Sequence, residues 1–135
     1  MNKQIASVIA IALLLLAGCA ASGPKLLDSA EDIVGTWQSN VTSVALHFTE
    51  EGTWGHEFPG DHAHTGSEFR FEGTRLIFNS NPAGGCFLQG HETGIYEVEL
   101  LENGNLKFTV IEDDCLVRVS YTAGRVIEVE YEPVP

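Results

Sequence analysis

The chain has 135 residues, 19 of them acidic and 7 basic, for a formal net charge of −12. That length suits one domain behind a leader and not two domains. The charge argues against a nucleic-acid partner, whose phosphates are held by Lys and Arg, and against electrostatic attraction to an anionic membrane surface. The acidity reads first as a device for solubility.

The chain opens with Lys3 and an apolar run from Ile5 to Leu16 broken only by Ser7. This is the pattern of a secretory signal, and the run is too short for a spanning helix of about 20 residues. Its end, Leu16-Ala17-Gly18-Cys19, resembles the bacterial lipobox. The resemblance implies cleavage before Cys19, diacylation of its thiol and acylation of the new amino group. The alternative is an ordinary cleaved signal with a free Cys19. Two or three acyl chains anchor a protein stably where one does not. Ala20 rather than Asp after the cysteine looks like outer-membrane sorting in a cell with two membranes. The expected organisation is a signal peptide at 1–18, a lipidated Cys19 with a tether over 19–32, and a domain at 33–135. The location is the cell membrane or outer membrane, with the domain outside the cytoplasm.

Ser22-Gly23-Pro24 reads as flexible tether. Leu26 to Ile33 suits one short helical turn capped by Asp28 or Ser29. No later segment shows a helical period; the rest alternates with period two between Gly- and Asn-rich turns. Strands are expected over Thr36–Val41, Val44–Thr49, Thr53–Phe58, Glu68–Glu72, Arg75–Asn79, Thr93–Leu101, Leu106–Ile111, Leu116–Tyr121 and Arg125–Tyr131. Loops fall at 59–67 and 80–90. Asn103-Gly104 is the strongest hairpin signal and predicts a type I′ turn. Pro133-Val134-Pro135 is expected to end any ladder. Nine short strands with one apolar face each predict an all-β fold, an antiparallel up-and-down barrel of 8–10 strands, since closure removes exposed edges. A two-sheet sandwich has the same period. With Cys19 taken by lipid, Cys86 and Cys115 remain in an exported chain, where thiols pair; two metal-binding or reactive thiols are the alternative.

Gly35-Thr36-Trp37 follows the short helical turn and opens the first strand. Together with Phe48 to Trp54, Gly94-Ile95-Tyr96, Leu106-Lys107-Phe108 and Asp113-Asp114-Cys115 before Arg118, it is similar to the lipocalin and lipocalin-like families. The resemblance implies that Trp37 closes the bottom of the barrel and packs against Arg118, where a cation over an indole contributes roughly 0.5–2 kcal/mol. It also implies a small apolar ligand, for which Trp54, Phe58, Phe69, Phe71, Tyr96 and Phe108 are the candidate lining residues; each is equally a core aromatic.

The one polar cluster is His56-Glu57-Phe58-Pro59-Gly60-Asp61-His62-Ala63-His64. His56, His62 and His64 are candidate metal ligands, although a Pro-Gly-Asp loop has this composition for turn reasons alone. His47 and His91 have no evident partner. Asp113-Asp114 is either an acid–base pair or a solvated turn. The chain carries no nucleophile elbow, phosphate loop or His-Glu-x-x-His, so neither an enzyme nor a resident cofactor is expected. The leading expectation is a membrane-anchored lipocalin-like protein carrying a small apolar ligand. The alternatives are an envelope interaction module with a filled barrel, displaying loops 59–67 and 80–92, and a periplasmic metal-binding protein. The oligomeric state stays open.

Overall fold

The structure, a computed structural model, describes residues 23–61, 64–122 and 129–135, with only the backbone for 64–66, 121 and 122. The leader, Cys19 and His62 therefore lie outside the described residues, as does 125–128 of the expected last strand. The fold is all-β. In chain order the strands are β1 (Lys25–Leu26), β2 (Gly35–Ser39), β3 (Ala45–Phe48), β4 (Thr53–Glu57), β5 (His64–Glu72), β6 (Arg75–Asn79), β7 (Thr93–Leu100), β8 (Leu106–Glu112) and β9 (Glu130–Pro133). Strands β2 to β9 pair antiparallel, each with the next, and β9 pairs back onto β2, which closes an eight-stranded up-and-down barrel. Among the described residues no helix is long and apolar enough to cross a membrane.

Alternation explains the closure. Along β7, Gly94, Tyr96 and Val98 are buried while their neighbours are partly exposed. Val129 and Tyr131 turn inward from the last strand, between half-exposed Glu130 and exposed Glu132. The interior is filled by a contiguous run of rings. Phe48 meets Phe69 edge-on at 5.1 Å and stacks on Phe78 and Phe108 at 6.0 and 6.4 Å. Trp54 lies 4.4 Å from Phe78, which meets Tyr96 at 5.2 Å, and Phe108 meets Tyr131 at 5.4 Å. Each such side chain contributes about 1.5–3 kcal/mol on leaving water.

One end of the barrel is plugged by the chain's approach to it. β1 adds to β7 through Lys25↔Leu100 and Leu26↔Glu99, and Leu27 is fully buried in the core. The packed domain thus begins at Lys25, ahead of the expected boundary at Ile33. A 3₁₀ turn over Ala30–Asp32 follows, capped by Ser29, whose hydroxyl accepts from the Glu31 N–H. Fully buried Ile33 then offers its carbonyl to the Trp37 indole N–H at 2.8 Å. Replacing Trp37 by Phe keeps an aromatic side chain, though a smaller one, and strips that buried carbonyl of its donor. The variant is expected to lose about 1–3 kcal/mol in urea unfolding, the cost of an unsatisfied buried group; an unchanged midpoint would show that the bond contributes nothing.

The hairpin between β7 and β8 differs from the type I′ expectation. Of Asn103 and Gly104 only the glycine has positive φ, +86°. The Gly104 N–H bonds the Leu101 carbonyl and the Leu101 N–H bonds the Asn105 carbonyl. This is a type I turn followed by a left-handed glycine, the longer hairpin solution. Asn103 and Asn105 donate to the exposed Glu130 carboxylate and hold its pKa below the usual value.

Two strand expectations are corrected. Leu116–Thr122 is an α-helix, and Gly85–Leu88 inside the long 80–92 loop is another; in chain order these are α2 and α1. The β-rich composition of Leu116 to Tyr121 is overridden by tertiary demands, because local β preference is weak against specific contacts. Pro133 also does not end the ladder. It takes the register position opposite Trp37, and the Val134 N–H continues the ladder to the Thr36 carbonyl at 2.9 Å.

Candidate functional site

The end opposite the Trp37 plug carries the β2–β3, β4–β5, β6–β7 and β8–β9 connections. Its architecture starts from an Asx turn. Asp113 follows β8, and its Oδ1 accepts the Cys115 N–H at 2.8 Å, the short-range bond that Asp favours in turns. The same carboxylate then receives Arg118 from the first turn of α2. Arg118 Nε donates to Oδ2 at 2.5 Å and Nη2 to Oδ1 at 2.8 Å, while Nη1 donates to Ser80 Oγ at 2.5 Å. The Tyr96 hydroxyl donates to Asp113 Oδ2. The two charged side chains are 1% and 0% exposed. Burial works to lower the Arg118 pKa, but the hydrogen bonds and charges of Asp113 and Tyr96 outweigh it and leave the guanidinium above its usual value. Whatever stability that shift supplies is fully present below the ordinary arginine pKa and is lost only as pH rises through the still higher folded value, so it supplies no switch near neutrality.

Gly94 of β7 lies under this pair. A Cβ at that position would run into Asp113 Oδ2 and sit 2.8 Å from Arg118 Nε, which explains a glycine in mid-strand. Cys86 of α1 bonds Cys115, with Cα atoms 5.5 Å apart. The disulfide therefore fastens the 80–92 loop to the Asp113 turn.

Between that loop and the barrel wall lies a half-open cavity of about 610 Å³. On the barrel side it is bounded by Trp54, Gly55, His56 and Ser67, on the loop side by Ser80, Asn81, Ala83, Gly84, Gly85, Cys86 and Gln89, and on the helix side by Val117 and Arg118. A register shift in the β4–β5 pairing between Trp54 and His56 opens the wall here, the usual effect of a bulge. Ser67 spans the gap, its hydroxyl accepting the Asn81 N–H at 3.0 Å. Trp54 is 4% exposed, and its indole N–H is buried without a hydrogen-bond partner among the described residues. On the two helices of this end, Leu88 of α1 and Leu116 and Val117 of α2 are 75%, 58% and 56% exposed, and of these Val117 borders the cavity. A smaller hollow of about 310 Å³ lies nearby, edged by His91, Glu92, Glu112 and Asp114.

The structure gathers the sequence-predicted residues selectively. Of the six aromatics named as ligand-lining, only Trp54 borders the cavity. Phe69, Tyr96 and Phe108 are buried in the packed interior, Phe71 packs against it, and Phe58 is on the surface. Trp37 and Arg118 are not brought together: the indole is tied to Ile33 at the plugged end, and the guanidinium to Asp113 and Ser80 at the other. The carboxylate supplies a bidentate partner that an indole face cannot. Cys86 and Cys115 form the expected disulfide.

The backbone register sets His56 opposite His64 across β4 and β5, and the His56 ring meets Phe58 edge-on at 5.2 Å. Among the described residues no group of three His, Cys, Asp or Glu side chains is placed to hold a metal. His47, which lacked a partner in sequence, is placed 3.0 Å from Thr36 Oγ1 and 3.3 Å from Glu57 Oε2. Asp113 is not a solvated turn residue. A pair of acids just before an apolar run is also a helix-start signal, and that signal would have pointed to α2. In comparisons with known proteins, no family model, no curated protein and no solved structure matches the chain.

Proposed function

We propose that this chain is an exported lipoprotein of the cell envelope, anchored through Cys19, whose lipocalin-like barrel binds a small molecule at its open end. The lipobox pattern supports the address. The observation that carries the binding is the cavity beside Trp54, whose volume of about 610 Å³ falls within the roughly 300–1,000 Å³ of small-molecule sites. The filled interior moves the ligand from the barrel axis, where the resemblance puts it, to the space between β4, β5 and the disulfide-tied loop. It also makes the ligand less uniformly apolar, since Ser67, Ser80, Asn81 and Gln89 share the lining.

Native mass spectrometry of the protein recovered from its own membrane tests both halves. The expected spectrum shows a chain starting at an acylated Cys19 and an added mass that leaves on gentle activation. A chain that carries acyl groups and no second species would shift the balance to an interaction module. That reading draws on the exposed Leu88 of α1 and Leu116 and Val117 of α2, large apolar side chains that a partner would cover.

A further inference from the structure

We infer that the open-end cavity selects an uncharged molecule with an apolar body and a hydrogen-bond acceptor, and that the Trp54 indole N–H is the group that recognises the acceptor. The inference rests on the cavity reading above and adds the class of ligand.

Two independent observations carry it. The first is the Trp54 donor. Buried polar groups in folded proteins are nearly always paired, and an indole has one donor and no acceptor. Trp54 is 96% buried by the complement of its 4% exposure, yet its N–H has no partner among the described residues while its side chain borders the cavity. The other tryptophan, Trp37, is satisfied by Ile33. An acceptor that reaches the covered N–H from the cavity, as the indole edge shifts to admit it, removes the mismatch, and a water-excluding apolar body beside the donor strengthens the bond.

The second observation is electrostatic. The chain carries 19 acidic side chains, but none of the described residues lining the cavity is Asp or Glu. The lining's permanent charge is Arg118, already matched by the Asp113 carboxylate. A cation meets no counter-charge there, and a net charge of −12 repels an anion. Neutral solutes are left, with Trp54, Ala83 and Val117 to receive the apolar part.

The test uses the full-length lipoprotein in detergent micelles with ¹⁵N-labelled tryptophan. Its two indole N–H signals are assigned from the Trp54→Phe variant. Three probes share one ring system: 2-acetylnaphthalene, with a neutral acceptor; 2-ethylnaphthalene, without one; and 2-naphthoate, an anion. The expected result is a saturable downfield shift of the Trp54 signal with 2-acetylnaphthalene, with the Trp37 signal still. Affinity for 2-ethylnaphthalene should be about ten-fold weaker. Trp54→Phe should weaken the ketone's binding about ten-fold, followed by saturation transfer at a temperature where circular dichroism shows the variant folded, since the smaller ring also leaves a void beside Phe78 and lowers the melting temperature. Equal affinities for ketone and hydrocarbon, or for wild type and Trp54→Phe, would overturn the role of Trp54 and leave the cavity reading standing. Naphthoate binding ten-fold tighter than the ketone would overturn the neutral class. Absence of binding by all three probes would take down the inference and the cavity reading together.

Discussion

Asp113→Ala is expected to cost about 3–5 kcal/mol of stability, because it strands the buried Arg118 guanidinium. The substitution also removes the acceptor for the Cys115 N–H and the Tyr96 hydroxyl, so with Arg118 Nε and Nη2 four donors lose a partner at once. Urea unfolding followed by tryptophan fluorescence measures the loss. Asp113→Asn separates the contributions: it keeps an oxygen for the Cys115 N–H and gives up the charge, so its loss should be smaller but still substantial. A third variant completes the argument. Asp113→Leu with Arg118→Met removes both charges and should recover much of the loss, since a buried ion pair is often replaceable by apolar groups of similar size. If Asp113→Ala changes stability by less than about 1 kcal/mol, the pair is not the structural tie described above. A large loss in the Asp113→Leu/Arg118→Met protein comparable to that of Asp113→Ala would show instead that Tyr96 and Cys115, and not the charge, depend on the carboxylate.

The second large effect belongs to the disulfide. Cys86→Ala with Cys115→Ala is expected to lose roughly 3–4 kcal/mol, the range that the chain-entropy account gives for a sequence separation of 29. Neither cysteine lies in a strand, so the β spectrum in far-ultraviolet circular dichroism should stay while the unfolding midpoint falls. Reduction of the wild type should reproduce the same shift. A loss below about 1 kcal/mol would mean that the loop is held by other contacts, such as the Asn81–Ser67 bond. Loss of the β signal would mean that the bridge supports the barrel itself.

The barrel was legible because alternation is a local property of each strand, and Tyr96-Val98 or Val129-Tyr131 show it without knowledge of their neighbours. The expected count of nine strands equals the observed one only because the strand expected over Leu116–Tyr121, a helix, stands in for the unforeseen β1. The open end was less legible for a physical reason. Leu116 to Tyr121 has strand composition, and only the covalent tie at Cys115 and the reach of Arg118 to Asp113 turn it into a helix; both are long-range constraints invisible in a window of residues. The same holds for the aromatics. Period two showed that Phe69, Tyr96 and Phe108 face inward, but it carries no information about whether the inside is full. The rings of Phe48, Phe78 and Tyr131 fill it, and ring-to-ring packing is decided by barrel diameter and register. Asp113 was the informative miss: beside Asp114 it looks like a surface turn, and its role depends on the small residue at Gly94, 19 positions earlier in the chain.

The chain joins the barrel through Lys25–Leu26 at the plugged end, while the cavity and the disulfide occupy the other. On the proposed anchor this sets a polarity normal to the bilayer. The six steps from Cys19 to Lys25 span at most about 22 Å even when fully extended, so the plugged end is leashed close to the headgroups and the open end is carried outward by the height of the barrel. A ligand or partner would then arrive from the aqueous compartment rather than by lateral diffusion in the lipid.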